Sequence, residues 1–298
     1  LAKTYHILGD GLAGLMLADR LLQSGHSAVV YGNGRTNTPP VGMVQLFAGR
    51  SFRRSQLEIL AFERAIPFWS AEPLAVELPI RRKIEPGGRL HRSLAGHGVP
   101  DRLAPRRLDD CWVEYGPGFA VLAQQLESRL RSRVLVREGE FQPADLPCPR
   151  ILALGLRAPE WLSSVAWDLS RGRVLQAPDL KAREAIILGH GIHLIPTPDQ
   201  GSVALGGLPL KADPFCEELE RAYRLTGRRY QAEARWEGGR CTPARNRRPL
   251  LGWSDPETFL FLGFGSRALF WLPHCLDLAV AALDGAEIPE PLWAGRSL

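Results

Sequence analysis

Apolar positions in the first thirty residues switch period twice. Tyr5-His6-Ile7-Leu8 reads as a buried strand, and Leu15, Ala18, Leu21 and Leu22 then recur at helical spacing. Gly25-His26 stops that helix, and Ala28-Val29-Val30-Tyr31 begins a second strand. A strand, turn, helix and strand within about thirty residues predict a βαβ unit. Helical spacing returns over Gln56 to Trp69 (Leu57, Leu60, Ala61, Ile66), where Pro67, Pro73 and Pro79 are expected to break the pattern into an extended stretch and end a first segment near residue 74. Residues 77–110 are rich in Arg, Gly and Pro. A strand over Cys111 to Tyr115 is predicted to turn at Gly116-Pro117-Gly118 into an amphipathic helix (Phe119, Leu122, Leu126, Leu130), followed by a strand at Val134-Leu135-Val136. Ile151 to Gly155 reads as a short buried strand.

From Arg171 to Gly207 the runs are of β type (Val174, Ile186 to Leu188, Ile192 to Ile195, Val203 to Leu205) with Gly and Pro between them, which predicts antiparallel pairing. Asp213-Pro214 is expected to open a helix through Tyr223. The last sixty or so residues return to strand, glycine turn and helix. The pattern predicts an α/β chain in which a Rossmann-like dinucleotide-binding domain is assembled from residues 1–74, 111–172 and 236–298. A smaller, mainly antiparallel β domain is expected from 75–110 and 173–235.

The turn after the first strand reads Gly9-Asp10-Gly11-Leu12-Ala13-Gly14, which is G-x-G-x-x-G. In that motif the first glycine makes the tight turn, the second admits a pyrophosphate and the third lets the helix pack on the strand. The helix N-terminus at Leu12 and Ala13 then faces the diphosphate. The end of the second strand, where such folds place an acid for the ribose, carries Gly32 and then Asn33, so either Asn33 or the main chain serves the adenosine ribose or nucleotide affinity is reduced. A carboxylate introduced at Gly32 is therefore expected to tighten cofactor binding.

Composition narrows the picture. The chain has 298 residues, 45% of them hydrophobic, enough to bury a sizeable core. The apolar runs, such as Phe259 to Phe264 and Leu278 to Leu283, are too short to span a bilayer. No secretory pattern precedes the first strand, and a cytoplasmic location is expected. The net charge of +5 comes from arginine, since only Lys3, Lys83, Lys181 and Lys211 are lysines. Arg81-Arg82-Lys83, Arg106-Arg107 and Arg247-Arg248 are either a solvated basic face or contacts for phosphate or an acidic substrate. Five cysteines without a C-x-x-C pair and seven histidines without an H-x-x-x-H or H-x-H cluster give no reason to expect a disulfide framework or a metal.

Beyond the glycine motif, several ordered segments resemble the D-amino acid oxidase and glycine oxidase family of FAD-dependent oxidoreductases. Val41-Gly42-Met43-Val44 is similar to the segment that family places beside the flavin, and Ala153-Leu154-Gly155 to its "A-x-G" strand end. Arg171-Gly172-Arg173-Val174-Leu175, His193-Leu194-Ile195-Pro196 and Val203-Ala204-Leu205-Gly206-Gly207 follow in the family's order. Near the C-terminus, Gly239-Arg240, Arg245-Asn246-Arg247-Arg248-Pro249-Leu250-Leu251-Gly252 and Gly263-Phe264-Gly265-Ser266-Arg267-Ala268-Leu269 resemble its closing motifs. This last part is also similar to the FAD domain of the bifunctional enzyme that modifies tRNA wobble uridine. Asn246 stands where the family has Asp, Ala268 where it has Gly, and Leu208 where Thr is common.

The resemblance implies non-covalent FAD. It places Gly42, Met43, Gly155, Arg267, Ala268 and Leu269 near the cofactor and sets backbone donors of Gly263, Gly265 and Ser266 at the flavin pyrimidine edge, although a helix N-cap is the other reading of Ser266; Arg267 would assist electrostatically or hold a phosphate-bearing substrate. Arg240 would bind a substrate carboxylate, which a guanidinium fork fits bidentately. Cys241, next to Arg240, raises covalent flavin attachment as another reading. His6 and His26 read as structural. The implied activity is oxidation of a small amine or amino acid by hydride transfer to flavin N5. Two alternatives stand beside it: oxidation of an amino-acid-like group on modified tRNA, and a binding module that keeps the fold without turnover.

Overall fold

The computed structural model describes residues 2–35, 37–49, 51–94, 98–176, 185–189, 192–196, 202–205 and 234–289, with 220, 223, 227, 229 and 292 singly. The Gly206-Gly207-Leu208 segment and Asp213-Pro214, with the start of the helix read there, lie outside them. The chain begins β1 (Thr4–Leu8), α1 (Leu12–Gln23), β2 (Ser27–Gly32), β3 (Gly42–Val44), α2 (Gln56–Ser70), β4 (Ala75–Lys83) and α3 (Arg89–Ser93). It continues through β5 (Arg106–Arg107), β6 (Trp112–Val121), α4 (Ala123–Arg131), β7 (Leu135–Glu138), β8 (Arg150–Leu152), α5 (Ala158–Trp161) and β9 (Trp167–Gln176). After β10 (Ala185–Gly189), β11 (Ile192–Ile195) and β12 (Ser202–Leu205) come β13 (Ala234–Pro243), β14 (Leu250–Asp255), β15 (Thr258–Leu262) and α6 (Ala268–Leu283).

Two compact units result, one of Leu1–Thr38, Gln124–Ser170 and Gly239–Leu298, the other of Pro39–Ala123 and Arg171–Gly238. The first is built on a six-stranded sheet in the order β14-β15-β8-β1-β2-β7. Its strands are parallel except β14, which pairs antiparallel with β15. The chain winds outward from β1 through β2 to β7, then returns to the other side of β1 with β8. The strand order therefore reverses between β1 and β8, where doubly wound sheets open a crevice for ligands at the carboxyl ends. Tyr5, Ile7 and Leu8 of β1 are buried, as are all five residues of β15, which fits strands covered on both faces. The apolar helix α6 is tied to this sheet and to α1 by Tyr5 Oη donating to Leu283 O (3.3 Å) and by Arg20 paired with Asp277 (2.6 Å).

The second unit carries a sheet in the order β13-β9-β12-β11-β10-β4-β6-β3, with β5 on β6. The described pairings are antiparallel except β10 with β4, in line with the β-rich reading of this region. Residues 39–74 and 111–123, assigned from sequence to the nucleotide-binding segments, cluster here because β3 and β4 both pair with β6.

Two local expectations are corrected. Pro67 does not end α2, which opens on a reciprocal Ser55–Glu58 capping box and runs to Ser70. The fully buried Trp69 holds that last turn in place. Gly116-Pro117-Gly118 is likewise no turn into a helix, for β6 passes straight through it. The β4–β6 register steps from Leu78↔Gly118 to Ile80↔Tyr115, which leaves Pro79 and Pro117 at an irregularity where no ladder donor is required. A Cβ at Gly118 would lie 2.3 Å from Ile80 Cδ1, so glycine is what lets the strands close there.

Candidate cofactor and carboxylate site

The glycine turn sits at the switch between β1 and β8. Gly9 takes φ +122°, a conformation that favours glycine, and a Cβ there would lie 2.2 Å from Ala153 O at the end of β8. A Cβ at Gly14 would lie 1.9 Å from Gly9 O. Both glycines are thus consumed by packing. Gly11 differs, since no heavy atom lies within 4 Å of a Cβ placed on it. It forms the N-cap of α1, no side chain caps that end, and the first turn of Leu12, Ala13 and Gly14 holds no acid. Backbone N–H groups that no side chain caps among the described residues, at the positive end of a helix dipole beside the open space over Gly11, suit a diphosphate. Gly155, just past β8, has φ +53° and is equally open. The residues present fit the pyrophosphate of a dinucleotide.

At the end of β2 the structure overturns an expectation. A Cβ on Gly32 would lie 2.0 Å from Asp10 Cγ and 2.2 Å from its Oδ1, so a side chain cannot be added at Gly32 without expelling Asp10. Asp10, the first variable residue of the glycine motif, is 7% exposed. Its Oδ2 accepts from Gly34 N (2.9 Å) and from Arg131 Nη2 (3.1 Å). Asn33 turns inward on its own loop, its Oδ1 accepting from Arg35 N (3.1 Å). Asp10 and Arg131 escaped the sequence reading. The only sequence signal was an acid inside the glycine loop together with a glycine where the acid is usual.

On the other side of the switch, β13 ends against the glycine segment after β15. Gly263 has φ +80° and Gly265 φ +53°; Cβ atoms there would lie 2.8 Å from Pro243 Cδ and 2.3 Å from Thr242 Cγ2. Ser266 does not cap α6 through its side chain, so that reading is set aside. A 3-10 turn over Gly265–Arg267 leads into Ala268 and Leu269 at the start of α6, again without an acid in the first turn. Arg267 lays its guanidinium over Phe270, 4.3 Å from the ring centroid, and 5.3 Å from that of Trp271. Cation–π contact thus holds it along its own helix.

Arg240 lies on β13, and strand alternation puts it on the same face as Thr242, the residue against Gly265. Among the described residues no hydrogen bond or ion pair reaches its guanidinium. Burial pushes its pKa down from the ordinary arginine value. A half-buried guanidinium without a counter-ion among the described residues is stabilised when an anion joins it. Cys241 points the other way, into an apolar cluster with Leu8, Leu152, Leu154, Leu250 and Leu260. Burial pushes its thiol up to about 11, which leaves it protonated and unsuited to a covalent link. Gly42 and Met43 are partly buried on β3 in the second unit, opposite Val121 and Ala120. His6 Nδ1 meets Tyr31 Oη (3.0 Å), and His26 meets Asp284 (3.4 Å) and the edge of Tyr5, as structural histidines do. Among the described residues, no group of three or more metal-ligating side chains is present and no helix is long and apolar enough to cross a membrane.

No protein-family model and no curated protein matches this chain. Solved structures do. Glycine oxidase from Geobacillus kaustophilus superposes with a TM-score of 0.79 at 17% identity, covering 99% of each chain. Iminodiacetate oxidase from a Chelativorans species gives 0.73 at 16%, covering 97% of this chain and 98% of that one. L-amino acid deaminase from Proteus vulgaris, with its specific insertion sequence deleted, gives 0.69 at 13%, covering 99% and 94%. This chain has the fold shared by these oxidases and deaminases.

Proposed function

We propose that this chain binds FAD non-covalently and oxidises a small amine or amino acid that carries a carboxylate. The observation that carries the reading is Arg240, a half-buried guanidinium with no partner among the described residues, on the strand face that abuts Gly265. When bound, FAD would take a hydride at N5 from the carbon bearing the amine. Backbone N–H groups of Gly11, Leu12 and Ala13 would hold the diphosphate, with Gly9 and Gly14 keeping α1 against β1. The uncapped turn from Gly263 through Gly265 and Ser266 to Leu269 would place N–H donors where negative charge grows on reduction. Arg240 would fix the substrate carboxylate by a bidentate pair and so orient the reacting C–H. The fold shared with an amino-acid oxidase, an iminodiacetate oxidase and a deaminase supports the same class of chemistry.

The test is an absorption spectrum of the purified chain, followed by anaerobic mixing with glycine, sarcosine, iminodiacetate and a panel of D- and L-amino acids. A flavin spectrum bleached by at least one of these is expected. Absence of flavin, with no binding from excess FAD, would sink the proposal. A flavin that none of them reduces would leave a cofactor-binding module without this turnover.

A further inference from the structure

We infer that Asp10 supplies the carboxylate that the end of β2 lacks, so that the ribose of the cofactor's adenosine half is held from the glycine loop instead of from β2. This rests on the FAD reading above and specifies how the chain meets the nucleotide. The Asp10 carboxylate occupies the space where a side chain on Gly32 would begin, 2.0 Å from that virtual Cβ at Cγ and 2.2 Å at Oδ1. It is locked there. Gly34 N and Arg131 Nη2 both donate to Oδ2, and Arg131 Nη2 also reaches Asp10 O at 2.9 Å. Oδ1 accepts no hydrogen bond among the described residues. An ionised carboxylate only accepts, and a ribose hydroxyl is a donor of matching chemistry.

The two positions therefore form one device. Glycine at 32 is required because Asp10 fills the space above it, and an acid at 32 is unnecessary because Asp10 already brings the charge. Arg131 is the positioning residue. It approaches from α4 and pairs with both Asp10 and Glu127 (3.6 Å). Asn33, the neighbouring side chain, holds its Oδ1 to Arg35 N and carries no charge. Among the described residues Glu138 is a rival acid, its carboxyl 3.2 Å from a Cβ on Gly34, but it is exposed and no described donor holds it there. Asp10 is the ordered one of the two.

The experiment is an exchange of the two residues in the full chain, read by titration of the cofactor-stripped protein with FAD, ADP and 2′-deoxy-ADP. Gly32→Glu alone should weaken FAD binding, and Asp10→Asn and Asp10→Gly should each weaken it about tenfold or more, the scale of one charge-assisted hydrogen bond. Asp10→Gly combined with Gly32→Glu should recover affinity, because a Cβ on residue 32 then no longer meets the Asp10 Cβ at 2.4 Å. The parent should prefer ADP to 2′-deoxy-ADP, Asp10→Asn should lose the preference, and Glu138→Gln should keep it. A merely structural Asp10 would lower the melting temperature without moving that ratio. The inference is overturned if Gly32→Glu alone binds FAD as well as the parent, if the double exchange recovers nothing, or if Glu138→Gln and not Asp10→Asn removes the discrimination. A parent that binds ADP with the stated preference but no FAD would instead refute the FAD reading and leave Asp10 as the ribose acceptor.

Discussion

Three glycines in one loop, each changed to alanine, should give three different outcomes. At Gly14 the new methyl would stand 1.9 Å from Gly9 O, against the roughly 3.5 Å of an ordinary non-bonded contact. Helix α1 cannot slide away freely, because Leu15, Leu17, Ala18 and Leu21 on it are fully buried. Overpacking of this kind costs roughly 1–3 kcal/mol. Gly9→Ala meets Ala153 O at 2.2 Å and must also hold φ +122°, so the strained backbone adds about 1–3 kcal/mol to a similar clash. Gly11→Ala keeps φ −76° and ψ 175°, which alanine adopts without strain, and touches nothing. Only the poorer N-cap remains, under about 1 kcal/mol. Urea unfolding of the cofactor-free chain should therefore rank Gly11→Ala near the parent, Gly14→Ala below it and Gly9→Ala lowest. Cofactor titration should separate them differently. Gly11→Ala, though folded, places its methyl where the diphosphate approaches and should lose at least about tenfold in FAD affinity, or 1.4 kcal/mol. If Gly11→Ala unfolds as readily as Gly14→Ala, or binds FAD like the parent, the division of these glycines into packing and binding roles is wrong.

Arg240→Ala should retain FAD while losing roughly 2–5 kcal/mol of carboxylate pairing, about 30-fold to several thousand-fold in kcat/KM. Arg240→Lys should recover only part for want of the fork, whereas loss of FAD itself would make Arg240 structural. Burial, with Arg137 nearby, holds the His6 pKa below 6.5, so the folded chain binds fewer protons than the unfolded one as pH drops below 6.5. Stability should thus be full above that pH and fall beneath it, and His6→Gln should flatten the slope in urea titrations. An unchanged slope would show that His6 does not carry it. Native alkylation at pH 8 should spare Cys241, whose thiol burial raises to about 11, and Cys275, also buried, and denaturation should release flavin free. A flavin mass retained on the Cys241 peptide would contradict the packing described for it.

Much of the first unit could be read locally. The period switch from strand to helix to strand, with glycines at three fixed offsets, marks a βαβ turn in which Gly9 packs at the end of β8, Gly14 packs within the loop, and Gly11 leaves its space open. Arg240 and the glycine segment before α6 were singled out by resemblance to a known family, and their roles in binding are proposed above. What the pattern missed depends on partners distant along the chain. Gly116-Pro117-Gly118 looks like a turn until β4 lies beside it with its own proline at the matching irregularity. Pro67 looks like a helix end until Trp69 is seen buried beyond it. Gly32 looks like a lost acid, and only the approach of β1 to β2 brings Asp10 over it, with Arg131 arriving from a helix about a hundred residues later. Spacing along the chain sets what a residue can do alone. Which charge fills which space is settled by the strand pairing that brings two remote residues within reach of each other.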